Sequence, residues 1–121
     1  MKTAAVFFTA SFIVSAIAAS SGDAQRGRKA FEQTCTGCHA LDRVRVGPRL
    51  RNVYGLPAGK DSQFSYSDAL KGASVTWNET TLDRWLADPE GVVPGNDMSF
   101  RLSDATKRAD IIAYLQQLSE K

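Results

Sequence analysis

The sequence predicts an all-α fold, and three observations carry that prediction. Ile111, Tyr114, Leu115 and Leu118 recur at i, i+3, i+4 and i+7, the stripe of an amphipathic helix. Asp23 and Asn78 each stand just before a helical run, where a side-chain oxygen can cap the first free amides. No segment alternates apolar and polar residues between turn signals, so nothing reads as a strand.

Taken in order, residues 1–21 read as a leader. Lys2 makes a short positive start, an uncharged run extends from Thr3 to Gly22, and Ala16-Ile17-Ala18 offers small residues at the −3 and −1 positions of a secretory cleavage site. Cleavage near Ala19 to Gly22 would leave one domain over residues 22–121. A retained membrane anchor is the competing reading, since about 20 apolar residues span a bilayer. Thr9, Ser11 and Ser15 dilute this run, and no basic flank follows it.

Asp23 caps a first helix from Ala24 to Thr34, with Gly27 and Phe31 on one face. Glycine inside a helix costs roughly 1 kcal/mol against alanine, and close approach of a second helix is the usual reason for keeping it. Gly47-Pro48 and Gly55-Leu56-Pro57-Ala58-Gly59 punctuate a loop region. Ser67 to Lys71 forms a short helix closed by Gly72. Asn78 then caps Glu79 to Ala87, whose Leu82, Trp85 and Leu86 share a face, and Pro89 stops that helix. Residues 89–100 carry Pro89, Gly91, Pro94 and Gly95 without apolar period, hence an irregular loop bearing Met98 and Phe100. The last helix starts at Ser103 or Asp104.

From Gly22 onward the chain holds 14 Lys/Arg against 13 Asp/Glu, which excludes a nucleic-acid binder built on bulk charge. The distribution is uneven. Residues 22–60 hold eight basic and three acidic side chains, and residues 61–121 six basic and ten acidic, a dipole suited to orienting a partner.

The chemistry concentrates in Cys35-Thr36-Gly37-Cys38-His39. Two cysteines three positions apart, with histidine directly after the second, read as c-type haem attachment. A structural zinc site needs about four Cys/His ligands, and the whole chain has two Cys and one His. A redox pair of thioredoxin type needs a βαβ context, and a disulfide here would close too small a loop to stabilise much. Haem also suits the size of the domain, because a chain this short buries a modest core and a large flat cofactor becomes its centre.

His39 supplies one ligand to the haem iron, and no second histidine exists. Past the leader Met98 is the only methionine, 59 positions after His39, and its soft thioether suits haem iron. Gap-filling in a core is the ordinary use of methionine, but Met98 stands in a Pro/Gly loop rather than a helical stripe. Lys60 and Lys71 are the other candidates and would need deprotonation. With both axial positions filled the iron takes no substrate, which leaves one-electron transfer and no catalytic constellation.

These residues resemble a class I cytochrome c, of the mitochondrial cytochrome c and bacterial cytochrome c2 type. The resemblance runs through Gly22-Asp23-Ala24 with Gly27 and Phe31, the CTGCH motif, Gly47-Pro48-x-Leu50, Phe64 to Ala69, Thr76-Trp77, Thr81 to Leu86, Pro94-Gly95-x-x-Met98-x-Phe100 and Arg108 to Leu115. It implies a class I cytochrome c fold whose first and last helices cross around one covalent haem c. It implies thioether bonds from Cys35 and Cys38, iron ligation by His39 and Met98, and a Pro48 carbonyl accepting from His39. It also implies that Tyr66 and Trp77 hydrogen-bond a buried propionate, although Trp77 by itself reads as core.

The chain departs from the pattern at Leu56, where many relatives carry an arginine near the propionates, at Leu70 for an asparagine and at Trp85 for a tyrosine. Glu90 and Asp97 stand where relatives place docking lysines, which points to a different or less acidic partner. The expectation is therefore a periplasmic monohaem carrier, exported and without stable membrane insertion after cleavage. It works as a monomer or in transient complexes between a donor reductase or dehydrogenase and an oxidase or other acceptor. A dedicated haem subunit of a periplasmic dehydrogenase is the alternative, followed by a haem sensor or peroxidase-like protein with a displaceable methionine.

Overall fold

A computed structural model describes residues 1–13 and 22–120. Residues 1–13 are exposed and carry no helix or strand, while the expected cleavage region, Ala16 to Gly22, lies outside the described residues except for Gly22. No helix among the described residues is long and apolar enough to cross a membrane.

The described residues form five helices: α1 (Ala24–Thr34), α2 (Asp68–Lys71), α3 (Glu79–Ala87), α4 (Pro89–Val92) and α5 (Ala105–Ser119). The only β-pairing among the described residues is an isolated antiparallel bridge between Pro57 and Thr76, so the all-α expectation holds. Around that bridge Gly55 N–H donates to Trp77 O (2.6 Å), Trp77 N–H to Leu56 O (2.9 Å) and Ala58 N–H to Val75 O (2.7 Å). A stretch read from sequence as plain loop is thereby tied to the chain leading into α3.

The caps expected at Asp23 and Asn78 are present, and Asp104 caps the last helix. The Asp23 carboxylate accepts from Arg26 N–H (2.8 Å), and Asp104 from Lys107 N–H (3.1 Å). Asn78 and Thr81 exchange side-chain and main-chain bonds in a capping box (3.0 and 2.9 Å). Ser67 caps α2 and Gly72 ends it. One expectation needs correction: Pro89 ends α3 but also opens α4. At the first helical position its missing N–H loses no bond and its fixed φ is already helical, so residues 89–92 make a turn of helix rather than irregular loop.

α1 and α5 form the main helix pair. Gly27 faces the Asp110 carbonyl, where any β-carbon would overlap it, which is the close approach the sequence anticipated. Phe31 meets Tyr114 edge to face, ring centroids 5.6 Å apart. Asp110, buried, accepts from Asp23 N–H (2.7 Å) and from Arg26 Nε (3.0 Å) and Nη2 (3.2 Å), joining the start of α1 to the middle of α5. The core runs from Ala30 and Phe31 through Trp77, Leu82, Trp85 and Leu86 to Ile111, Ile112 and Leu115. Burying one such side chain contributes about 1.5–3 kcal/mol, so this small set matters.

Candidate functional site

One side of this core is hollow. A cavity of about 810 Å³ is lined by Phe31, Leu82, Trp85, Ile111 and Leu115 from the helices and by the loops between them. Its size falls within the range of about 300–1,000 Å³ typical of ligand sites. Cys35, Cys38, His39, Pro48, Tyr66, Trp77 and Met98, the seven residues singled out from sequence, all line it.

The end of α1 explains how the motif gathers. Cys35 N–H still donates to Phe31 O (2.8 Å), and the Cys38 and His39 amides both fold back to Cys35 O (3.2 and 2.9 Å), so two thiols and an imidazole share one turn. Burial pushes the Cys35 thiol up, only partly offset by the Thr34 hydroxyl beside its sulfur, which keeps it a thiol rather than a reactive thiolate. Cys38 is exposed at the rim.

His39 is half-buried, and burial lowers its pKa despite the opposing hydrogen bond to Pro48, so the ring is neutral at physiological pH. Its Nδ1 lies 2.7 Å from the Pro48 carbonyl, which can only accept; Nδ1 therefore carries the proton and Nε2 keeps a lone pair for a metal. Gly47 makes this possible, since a β-carbon there would sit 2.7 Å from Nδ1.

Met98 is held by an Asx turn. Its N–H donates to Asn96 Oδ1 (2.7 Å), while Asn96 Nδ2 donates to Val93 O (2.8 Å). Trp77 is buried with its ring 5.1 Å from Trp85. Tyr66 is half-buried, stacks edgewise on Phe64 at 4.8 Å, and its hydroxyl accepts from Asp61 N–H (3.3 Å); burial raises its pKa.

Sequence reasoning missed two features. Arg49 grips Asp61 with two bonds (2.7 and 3.2 Å) beside Tyr66, placing a guanidinium on the cavity wall. Leu56 is half exposed at the cavity edge. Residues twelve apart across a Gly/Pro loop obey no period, so no pattern announces that pair. The second feature concerns Glu90: both its carboxylate oxygens accept from Gly95 N–H (3.0 and 3.1 Å). Glu90 stays exposed and charged while it makes this contact.

The residues fit a covalent haem. Two thiols, a neutral imidazole with a free Nε2 and an uncharged thioether share a largely apolar cavity that also carries Trp77, Tyr66 and Arg49 as polar partners for carboxylates.

Comparison with known proteins agrees. The sequence model of the cytochrome c family matches residues 24–119. Cytochrome c2 of Rhodomicrobium vannielii is 43% identical over 110 residues, covering 88% of this chain and 87% of that protein. Cytochrome c of Chlamydomonas reinhardtii is 42% identical over 103 residues, covering 82% and 92%. The solved structure of cytochrome cH from Methylobacterium extorquens superposes with a TM-score of 0.75 at 46% identity, covering 79% of this chain and 99% of that one.

Proposed function

The chain belongs to the cytochrome c family, and from that premise we propose that it is a periplasmic single-electron carrier with His39 and Met98 as iron ligands and Cys35 and Cys38 as thioether anchors. A haem c bound here supplies a one-electron ferric/ferrous couple. The observation that carries the reading is that two thiols, an imidazole and a thioether, from Cys35, Cys38, His39 and Met98, line a single largely apolar cavity.

The chain's own residues account for the rest. Pro48 fixes the His39 tautomer, so the ring offers Nε2 in one orientation. Asn96 ties the Met98 amide, which limits how far the thioether wanders between oxidation states. The apolar wall formed by Phe31, Leu82, Trp85 and Leu115 excludes water and keeps the surroundings little changed when one charge is gained or lost. Trp77 and Tyr66 would serve the propionates, with Arg49 near Tyr66. With His39 and Met98 both as ligands the iron would have no open position for a substrate, which makes the protein a carrier rather than an enzyme.

Export follows from the leader over residues 1–21, cleaved near Ala19 to Gly22. Partners are redox proteins met in transient contacts. A permanent dehydrogenase subunit is the second reading, motivated by the two exposed acids Glu90 and Asp97.

Voltammetry of the exported holo protein tests the carrier reading. A single one-electron wave unmoved by carbon monoxide is the expected result. A potential that climbs when carbon monoxide is added would mean an open or easily opened iron, and a sensor or enzyme instead.

A further inference from the structure

We propose that Glu90 is the positioning residue that keeps Met98 at the iron, acting through the main chain of the Pro94–Met98 loop. This rests on the His39/Met98 reading above and adds a residue whose side chain has no place in ligation itself. Glu90 sits in α4, and Oε1 and Oε2 both accept from the Gly95 N–H, at 3.0 and 3.1 Å. Gly95 has φ +84°, a backbone state open to glycine and rarely to other residues, so the loop reverses at the atom Glu90 holds. A carboxylate acceptor makes that bond roughly twice as strong as a neutral one. Among the described residues Glu90 forms no ion pair, and the nearby Arg101 pairs with Asp88 at 3.0 Å.

The loop is therefore tied at its start by Glu90 and at its end by Asn96, which accepts from Met98 N–H at 2.7 Å. Packing does not do this job alone. Met98 borders the main cavity and also a second one of about 190 Å³, lined by Pro89, Glu90, Asn96, Ser99 and Arg101. A polar space of that size admits several waters, a site for each needing only about 10–15 Å³ on the same measure. The hydrogen bonds at Gly95 and Met98 oppose movement of the Met98 side chain toward that space.

Imidazole titration of the ferric holo protein tests the proposal, because imidazole enters only where Met98 leaves. Glu90→Ala is expected to raise the apparent imidazole affinity about tenfold, the effect of losing one charge-assisted bond. Glu90→Gln, whose amide oxygen still accepts, is expected to stay within roughly threefold of wild type. Asp97→Asn, which removes a neighbouring negative charge but no such bond, is expected to leave the affinity unchanged. Equal affinity in Glu90→Ala and wild type overturns the proposal, as does Glu90→Gln binding as tightly as Glu90→Ala, or Asp97→Asn reproducing its effect. Absence of the red thioether band from the wild-type protein overturns the ligand reading beneath it, and that result stands apart because no variant is needed to see it.

Discussion

Gly27 lies so close to the Asp110 carbonyl that a β-carbon on Gly27 would overlap the oxygen. That contact sets the distance between α1 and α5, and with it the position of Cys35 one residue beyond the end of α1. Gly27→Ala is expected to destabilise the holo protein by about 3 kcal/mol, since the obstacle is main chain and no rotamer relieves it. Urea unfolding followed by haem absorbance measures this. A change below about 1 kcal/mol, no more than the ordinary helical effect of the exchange, would contradict the close crossing.

The same junction predicts an acid dependence. Arg26 hydrogen bonds, with the Asp23 amide assisting against burial, hold the Asp110 carboxyl below the usual carboxylate range. A group with a depressed folded pKa contributes stability above its unfolded pKa, near 4, and loses it as pH falls through the lower folded value. Asp110→Asn is expected to cost about 2 kcal/mol at pH 7, as hydrogen bonds to a charged acceptor do, and to flatten the loss of stability below about pH 4. Unfolding midpoints at pH 5 and pH 3 distinguish the two proteins; parallel slopes would show that Asp110 is not the group responsible.

Much of this was legible before the structure. The haem motif is local, the α3 and α5 stripes are periodic, and Gly27 inside a helix already asked for a partner helix. Met98 as the candidate ligand followed by elimination, because composition left no other soft ligand, and the fold brings it to the cavity wall. What stayed hidden depends on contacts without a period. Trp77 read as core from its own neighbourhood, and it is both buried and on the cavity wall, so burial alone could not separate the two roles. α4 escaped because a proline that ends one helix can start the next. The Glu90–Gly95 bond spans a loop reversal, and only the Pro94-Gly95-Asn96 run signals that a turn exists there.

Gly47 supplies a third prediction. A β-carbon at this position would press on the His39 ring, 2.7 Å from Nδ1. Gly47→Ala is expected to break the His39–Pro48 bond and to lower stability by about 2 kcal/mol. The Nδ1–H proton resonance of the reduced protein reports the bond directly, and its persistence at the wild-type shift would refute the contact.

Docking is tested at Asp97, which is exposed and lines the cavity edge, rather than at Glu90, whose carboxylate serves Gly95. Asp97→Lys is expected to speed electron exchange with an acidic-faced partner several-fold at low salt and to steepen its decline with ionic strength. Stopped-flow rates across a salt series give the slope. An unchanged slope with every partner tried would mean that Asp97 lies outside the encounter face.

The most direct test of the whole account is an optical spectrum of the exported ferric protein, taken with the intact mass of the same sample. A weak band at the red end of the visible, the mark of sulfur from Met98 on iron and lost in Met98→Ala, is expected, together with a mass exceeding the processed polypeptide by one haem. A colourless protein of bare polypeptide mass, or a haem protein whose red band survives the loss of Met98, would contradict it.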